Sequence, residues 1–138
     1  MRKISHLLLL ALVLVLSACG QNGAATDLKV DMTDFAFTPN QFTIPAGQPI
    51  TLQVTHDGMV THEFIIMKYG KEVGEHFNEE DQPNIYWKIE VQPGDSETVT
   101  FTAPDQPGTY QIVCGMAGHV EAGMVGQLQV VANGVTKN

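Results

Sequence analysis

The chain has 138 residues, seven Lys/Arg against fifteen Asp/Glu and a formal net charge of −8, which leaves room for one ordinary domain and excludes a large multidomain enzyme. An acidic balance of this size argues against nucleic acid as a partner.

Met1 to Ser17 carries Arg2 and Lys3, an apolar run from Leu7 to Leu16 and no acidic residue, the pattern of an export signal too short to span a bilayer. It leads into Leu16-Ser17-Ala18-Cys19-Gly20, which resembles the bacterial lipoprotein box. The resemblance implies a signal peptide over 1–18 and a lipid on Cys19, the first residue of a mature chain of 120 once 18 of the 138 are removed. Loss of Arg2 and Lys3 leaves five basic against fifteen acidic side chains, a net of −10, so attachment to a membrane rests on the lipid alone. The expected location is a cell membrane, facing the periplasm or the cell exterior. In that oxidising setting Cys114 has no intrachain partner and needs another role.

Residues 19–27 continue as the lipidated Cys19 and a short polar tether ending in Gly20 to Asp27, and the domain is placed at 28–138. Period-two alternation at Leu28/Val30/Met32, Ile50/Leu52/Val54, Val99/Phe101 and Leu128/Val130 predicts half-buried strands. Turn signals separate them at Thr38-Pro39-Asn40, Pro45-Ala46-Gly47, Asp57-Gly58, Gln92-Pro93-Gly94-Asp95 and Asp105-Gln106-Pro107-Gly108. Tyr69 to Asn84 breaks this rhythm with Glu72, Glu75, Glu79, Glu80 and Asp81, and reads as a loop or a short helix. Short strands at about ten-residue spacing predict an all-β, Greek-key antiparallel β-sandwich.

The chemistry concentrates in Cys114-Gly115-Met116-Ala117-Gly118-His119-Val120-Glu121-Ala122-Gly123-Met124, where a thiol, an imidazole and a thioether recur at five-residue intervals after an apolar strand. Such a Gly-punctuated loop wraps three soft donors around one point, and thiolate, imidazole and thioether together suit copper better than zinc. A second imidazole is supplied best by His62, which precedes the apolar run Phe64-Ile65-Ile66. Two His and one Cys in a plane, with Met124 axial, is the composition of a blue-copper electron-transfer centre, one mononuclear type 1 site. Gly118 and Gly123 are expected to supply backbone conformations that the tight loop needs.

At these residues the chain resembles a cupredoxin of the plastocyanin, azurin and auracyanin type, over roughly Leu28 to Ala132. Phe35-Ala36-Phe37-Thr38-Pro39 with Ile44-Pro45-Ala46-Gly47 is similar to the family's opening strands, and Gly108-Thr109-Tyr110 to the strand before its ligand loop. The Cys-x4-His-x4-Met spacing is similar to the auracyanin and rusticyanin pattern; plastocyanin has a shorter Cys to His interval and azurin a shorter His to Met interval. The resemblance implies His62, Cys114, His119 and Met124 as ligands, and electron exit through His119. In place of the Asn or Ser that follows the first ligand His in the best-known members stands Glu63. Its carboxylate adds negative charge near the metal, which favours Cu(II) and lowers the potential unless the side chain turns to solvent or is neutralised.

The remaining candidates are read as structural. His56 is taken as a solvated turn residue, His76 as a solvated member of the acidic segment, and Met59, Met67 and Met116 as packing or as apolar surface beside the site. Tyr110 is expected to hold a loop through its hydroxyl, and Tyr86, Trp87 and Ile89 to be strand core. The acidic segment is a solvated surface that can also meet a basic redox partner. With four protein donors, no open metal position and no Ser/His/Asp arrangement, the chain is expected to be a monomeric one-electron carrier and not an enzyme. Its expected partners are redox proteins such as a cytochrome, an oxidase or a reaction centre. The alternative is a lipoprotein that acquires or delivers copper without redox cycling.

Overall fold

The computed structural model describes residues 23–133, so the expected signal over 1–18 and Cys19 lie outside the described residues. Among the described residues nine strands form two facing sheets: β1 (Asp27–Thr33), β2 (Ala36–Thr38), β3 (Gln41–Pro45), β4 (Pro49–His56), β5 (His62–Met67), β6 (Ile85–Val91), β7 (Ser96–Thr102), β8 (Gly108–Val113) and β9 (Val125–Val131). One sheet has the order β2-β1-β4-β7 and the other β3-β9-β8-β5-β6. The all-β sandwich expected from the alternation is therefore present, and each alternating run lies inside a strand: β1 buries Leu28, Val30 and Met32 and exposes the residues between. Backbone pairing with the sandwich is already present before residue 28: Ala25 donates its N–H to the Thr43 carbonyl and the Thr26 carbonyl accepts one from Thr51.

Both sheets are mixed rather than purely antiparallel. β1 pairs parallel with β4, and β3 pairs parallel with β9. Parallel neighbours need a long connection between them, and here β2 and β3 supply it by carrying the chain from one sheet to the other before β4 returns.

The main core lies between the sheets and contains Met32, Ile44, Ile50, Leu52, Phe64, Ile66, Ile112 and Leu128. β5 departs from alternation because all six of its residues are buried. It is flanked by β8 and β6, its inner face joins the main core, and its outer face carries Ile65 and Met67 into a second cluster with Val73, Val113 and Val120. Val73 comes from the acidic segment, which is pinned by Gln111: its Oε1 accepts the Val73 N–H at 2.7 Å and its Nε2 donates to the Val73 carbonyl. The segment is thus a loop that covers the back of β5, with a single turn of 3-10 helix at Gln82–Asn84, while Glu72, Glu75, Glu79 and Glu80 stay exposed.

β6 is less buried than expected. Trp87 and Ile89 are half-buried, Trp87 stacking on Phe101, but Tyr86 is exposed on an outer strand and donates its hydroxyl to the Thr102 carbonyl. Tyr110 meets its expected role, donating its hydroxyl to the Gln106 carbonyl at 2.7 Å across the β7–β8 corner.

Candidate metal centre

Three of the four expected ligands meet at one end of the sandwich. His62 opens β5 and Cys114 follows β8, and these strands are adjacent and antiparallel with Ile65 opposite Val113, so both side chains reach the same inner pole. The loop from Cys114 to Met124 closes on itself: the Cys114 N–H bonds the Met124 carbonyl, the Met124 N–H bonds the His119 carbonyl, and the His119 N–H bonds the Met116 carbonyl. Gly118 and Gly123 take φ of 83° and 93°, the left-handed conformation that L side chains resist, as the loop's spacing required. Met124 is fully buried and packs in the main core together with Cys114.

The donor atoms are close. His62 Nδ1 stands 3.1 Å from His119 Nδ1, and Cys114 Sγ stands 3.2 Å from His119 Nδ1 and 3.9 Å from His62 Nδ1. A first-row metal bonded to nitrogen at about 2.0 Å and to sulfur at about 2.3 Å sets three coplanar donors roughly 3.5–3.7 Å apart, so this triangle fits one ion. Burial tunes all three donors toward neutrality before a metal arrives. Desolvation pushes the His62 and His119 imidazoles below the ordinary 6.5 and the Cys114 thiol above the ordinary 9.0, while the Glu63 N–H directed at Cys114 Sγ at 3.3 Å opposes the rise. Metal uptake at neutral pH thus displaces one proton, from Cys114, and meets imidazoles with free lone pairs.

Several residues that hold this triangle were not singled out in the sequence. Asp34, in the β1–β2 turn, accepts from His62 Nε2 at 2.9 Å through Oδ1 and from the Met59 N–H through Oδ2. The Met59 bond and the His62 ring hold its carboxyl below the ordinary value. Because Nε2 of His62 donates to Asp34, its Nδ1 presents a lone pair toward the centre, the carboxylate–imidazole arrangement that fixes a metal-binding tautomer. The sequence carried only a weak hint of this, an acidic residue at a strand turn.

His56 corrects the expectation of a solvated turn histidine. It is 1% exposed, ends β4, and its ring stacks on His62 at 4.6 Å with an 18° tilt. The Gly58 N–H donates to its Nδ1 and its Nε2 donates to the Val60 carbonyl, so its polar atoms are satisfied within the turn and it buttresses His62 instead of competing for metal. A Cβ on Gly58 would collide with the Asp34 carboxylate, which explains glycine there. The alternation Ile50, Leu52, Val54, His56 was the signal that placed this histidine inward.

Phe35 lies over both imidazoles, its ring 4.7 Å from that of His119 and 6.2 Å from that of His62, and it remains 40% exposed. With Met59 and Val60, also exposed, it gives this pole an apolar face, while His119 beneath it is only 8% exposed. Met67 is buried in the second cluster, and half-buried Met116 packs against the main core. His76 is exposed, 3.8 Å from Glu121. Glu63 points neither to solvent nor into the metal triangle: it is 6% exposed and ion-paired to Lys88 at 2.6 Å.

Residues 6–126 match the family described as Cupredoxin-like domain, and the chain belongs to that family. Auracyanin-A of Chloroflexus aurantiacus is 26% identical over 140 residues, covering 80% of this chain and 86% of that protein. The dithionite-reduced auracyanin of Roseiflexus castenholzii superposes with a TM-score of 0.66 at 31% identity, over 79% of this chain and 99% of that one. The structure of auracyanin A, described as a blue copper protein, gives a TM-score of 0.59 at 25% identity over 76% of this chain and 99% of that one.

Proposed function

We propose that the protein is a membrane-tethered blue copper protein that carries single electrons between extracytoplasmic redox partners, its one copper held by His62, Cys114, His119 and Met124. The reading rests above all on the convergence of two imidazole nitrogens and one thiol, all buried, within 4.8 Å of one another. Membership of the family and likeness to a blue copper auracyanin support it.

Copper bound there supplies a one-electron Cu(I)/Cu(II) couple, and soft thiolate and thioether donors beside two imidazoles serve both oxidation states. The chain's part is to keep those donors still. Asp34 orients His62, His56 backs its ring, the Glu63 N–H points at the Cys114 sulfur, and Phe35 shields both imidazoles from water. A donor set supplied wholly by the protein offers substrate no open position, so the protein is a carrier and not an enzyme. The apolar face of Phe35, Met59 and Val60 above His119 suits close approach of a redox partner of cytochrome, oxidase or reaction-centre type, and the exposed acidic loop adds a contact for a basic one. Tethering is attributed to the lipid on Cys19; among the described residues no helix is long and apolar enough to cross a membrane.

The test is visible absorption with electron paramagnetic resonance on the full-length, detergent-solubilised protein after one equivalent of Cu(II), with Cys114→Ser as control. An intense thiolate-to-copper band that bleaches reversibly with a mild reductant and is absent from the control is expected. A weak Cu(II) spectrum with ready transfer of Cu(I) to a competing chelator would replace the carrier reading with copper delivery. Cys19→Ser is expected to move the protein from the membrane to the soluble fraction.

A further inference from the structure

The Glu63 carboxylate sits on the side of β5 facing away from the metal triangle, the face that carries Ile65 and Met67 into the second cluster. On the neighbouring strand β6 the residue directly opposite Glu63 is Glu90, a like charge, and Lys88 lies diagonal to it. Lys88 nevertheless reaches across, Nζ to Oε1 at 2.6 Å, with the lysine 43% and the glutamate 8% exposed at the side chain, while Glu90 turns to Gln92. The other oxygen, Oε2, lies over Gly115, where any Cβ would collide with it. Gly115 immediately follows Cys114, and the backbone N–H of Glu63 is the one directed at Cys114 Sγ. One side chain therefore bridges β5 to β6 and packs over the residue that follows Cys114, within one residue of two donors.

We propose that the Glu63–Lys88 pair is a potential-setting element of the copper centre: Lys88 cancels a buried negative charge, one residue from His62, that would otherwise favour the oxidised metal. The inference deepens the copper-carrier reading and rests on it. Loss of the two partners is predicted to have opposite signs. Removing the lysine leaves the carboxylate uncompensated beside the centre and stabilises the more positive oxidised state; removing the carboxylate charge leaves the lysine, which stabilises the reduced state. Since Lys88 is the more exposed partner and can swing into water, the second effect is the smaller.

The experiment is a cycle of Lys88→Met, Glu63→Gln and the double variant in the full-length protein, followed by the reduction potential, the copper hyperfine splitting and the melting temperature of the metal-free protein. Lys88→Met is expected to lower the potential, Glu63→Gln to raise it by less, and the double variant to return toward wild type. The metal-free melting temperature should fall most in Lys88→Met, where a buried carboxylate loses its partner, and recover in the double variant. A merely structural brace would instead move both single variants the same way, with no recovery in the double variant, and that result overturns the proposal. Unchanged potentials with a normal thiolate-to-copper band overturn it while leaving the carrier reading intact; absence of that band from the wild-type protein overturns both.

Discussion

Two parts of the metal-facing pole are built in opposite ways. The loop from Cys114 to Met124 is one continuous stretch that supplies three of the four proposed donors and braces itself with its own backbone hydrogen bonds. The wall around His62 is assembled from separate elements: Asp34 from the β1–β2 turn, His56 from β4, Glu63 from β5 and Lys88 from β6. Donor identity is thus a local property of the chain, whereas donor orientation is a property of the packed sandwich. Loss of a loop donor should abolish a signal, and loss of a wall residue should degrade it.

The largest effect follows from the loop. Cys114→Ser removes the only thiolate among the donors, and the intense visible band is expected to vanish completely while the fold, followed by far-ultraviolet circular dichroism, persists. On the wall, Asp34→Ala frees the His62 tautomer and rotamer, and copper affinity measured by competition with a chelator is expected to drop about 10- to 100-fold with the band retained. An Asp34→Ala variant that binds copper as tightly as wild type would show that orientation, too, comes from the loop. Within the loop, Gly118→Ala forces a Cβ into the left-handed region and is expected to cost about 1–2 kcal/mol in denaturant unfolding.

The smallest effect is a pH dependence of the metal-free protein. His62 and His119 sit below their ordinary 6.5 in the folded state, so unfolding takes up protons below about pH 6.5 and stability falls on acidification. Cys114 sits above its ordinary 9.0, so unfolding releases a proton above about pH 9 and stability falls there as well. Melting temperatures measured from pH 5 to pH 10 should trace a plateau between these limits. Cys114→Ser should flatten the alkaline side alone.

The same division governs what the sequence made legible. The donor spacing, the need for left-handed glycines at 118 and 123, and the Tyr110 corner all depend on neighbours along the chain and could be read directly. Four strands, β1, β4, β7 and β9, could be read from alternation, whereas the two buried faces of β5 erase it. Parallel pairing of β1 with β4 and of β3 with β9 leaves no local trace, because it depends on which sheet the chain crosses to. His56 was misread because His-Asp-Gly has turn chemistry, although its place in the β4 alternation pointed inward. Asp34 and Lys88 act only through residues 28 and 25 positions away, a distance at which no motif operates.

The direction of the outermost elements has a consequence for reach. β1 starts at Asp27 and runs toward Asp34 and the metal pole, while β9 leaves Met124 at that pole and ends at Val131 beside Pro45. Seven extended residues in each strand cover roughly 20 Å, so both ends of the described chain emerge at the pole opposite the donors. A surface holding the domain by its amino-terminal side would meet the blunt end of the sandwich, with Phe35, Met59 and Val60 at the far end, turned away from it like the head of a mooring buoy.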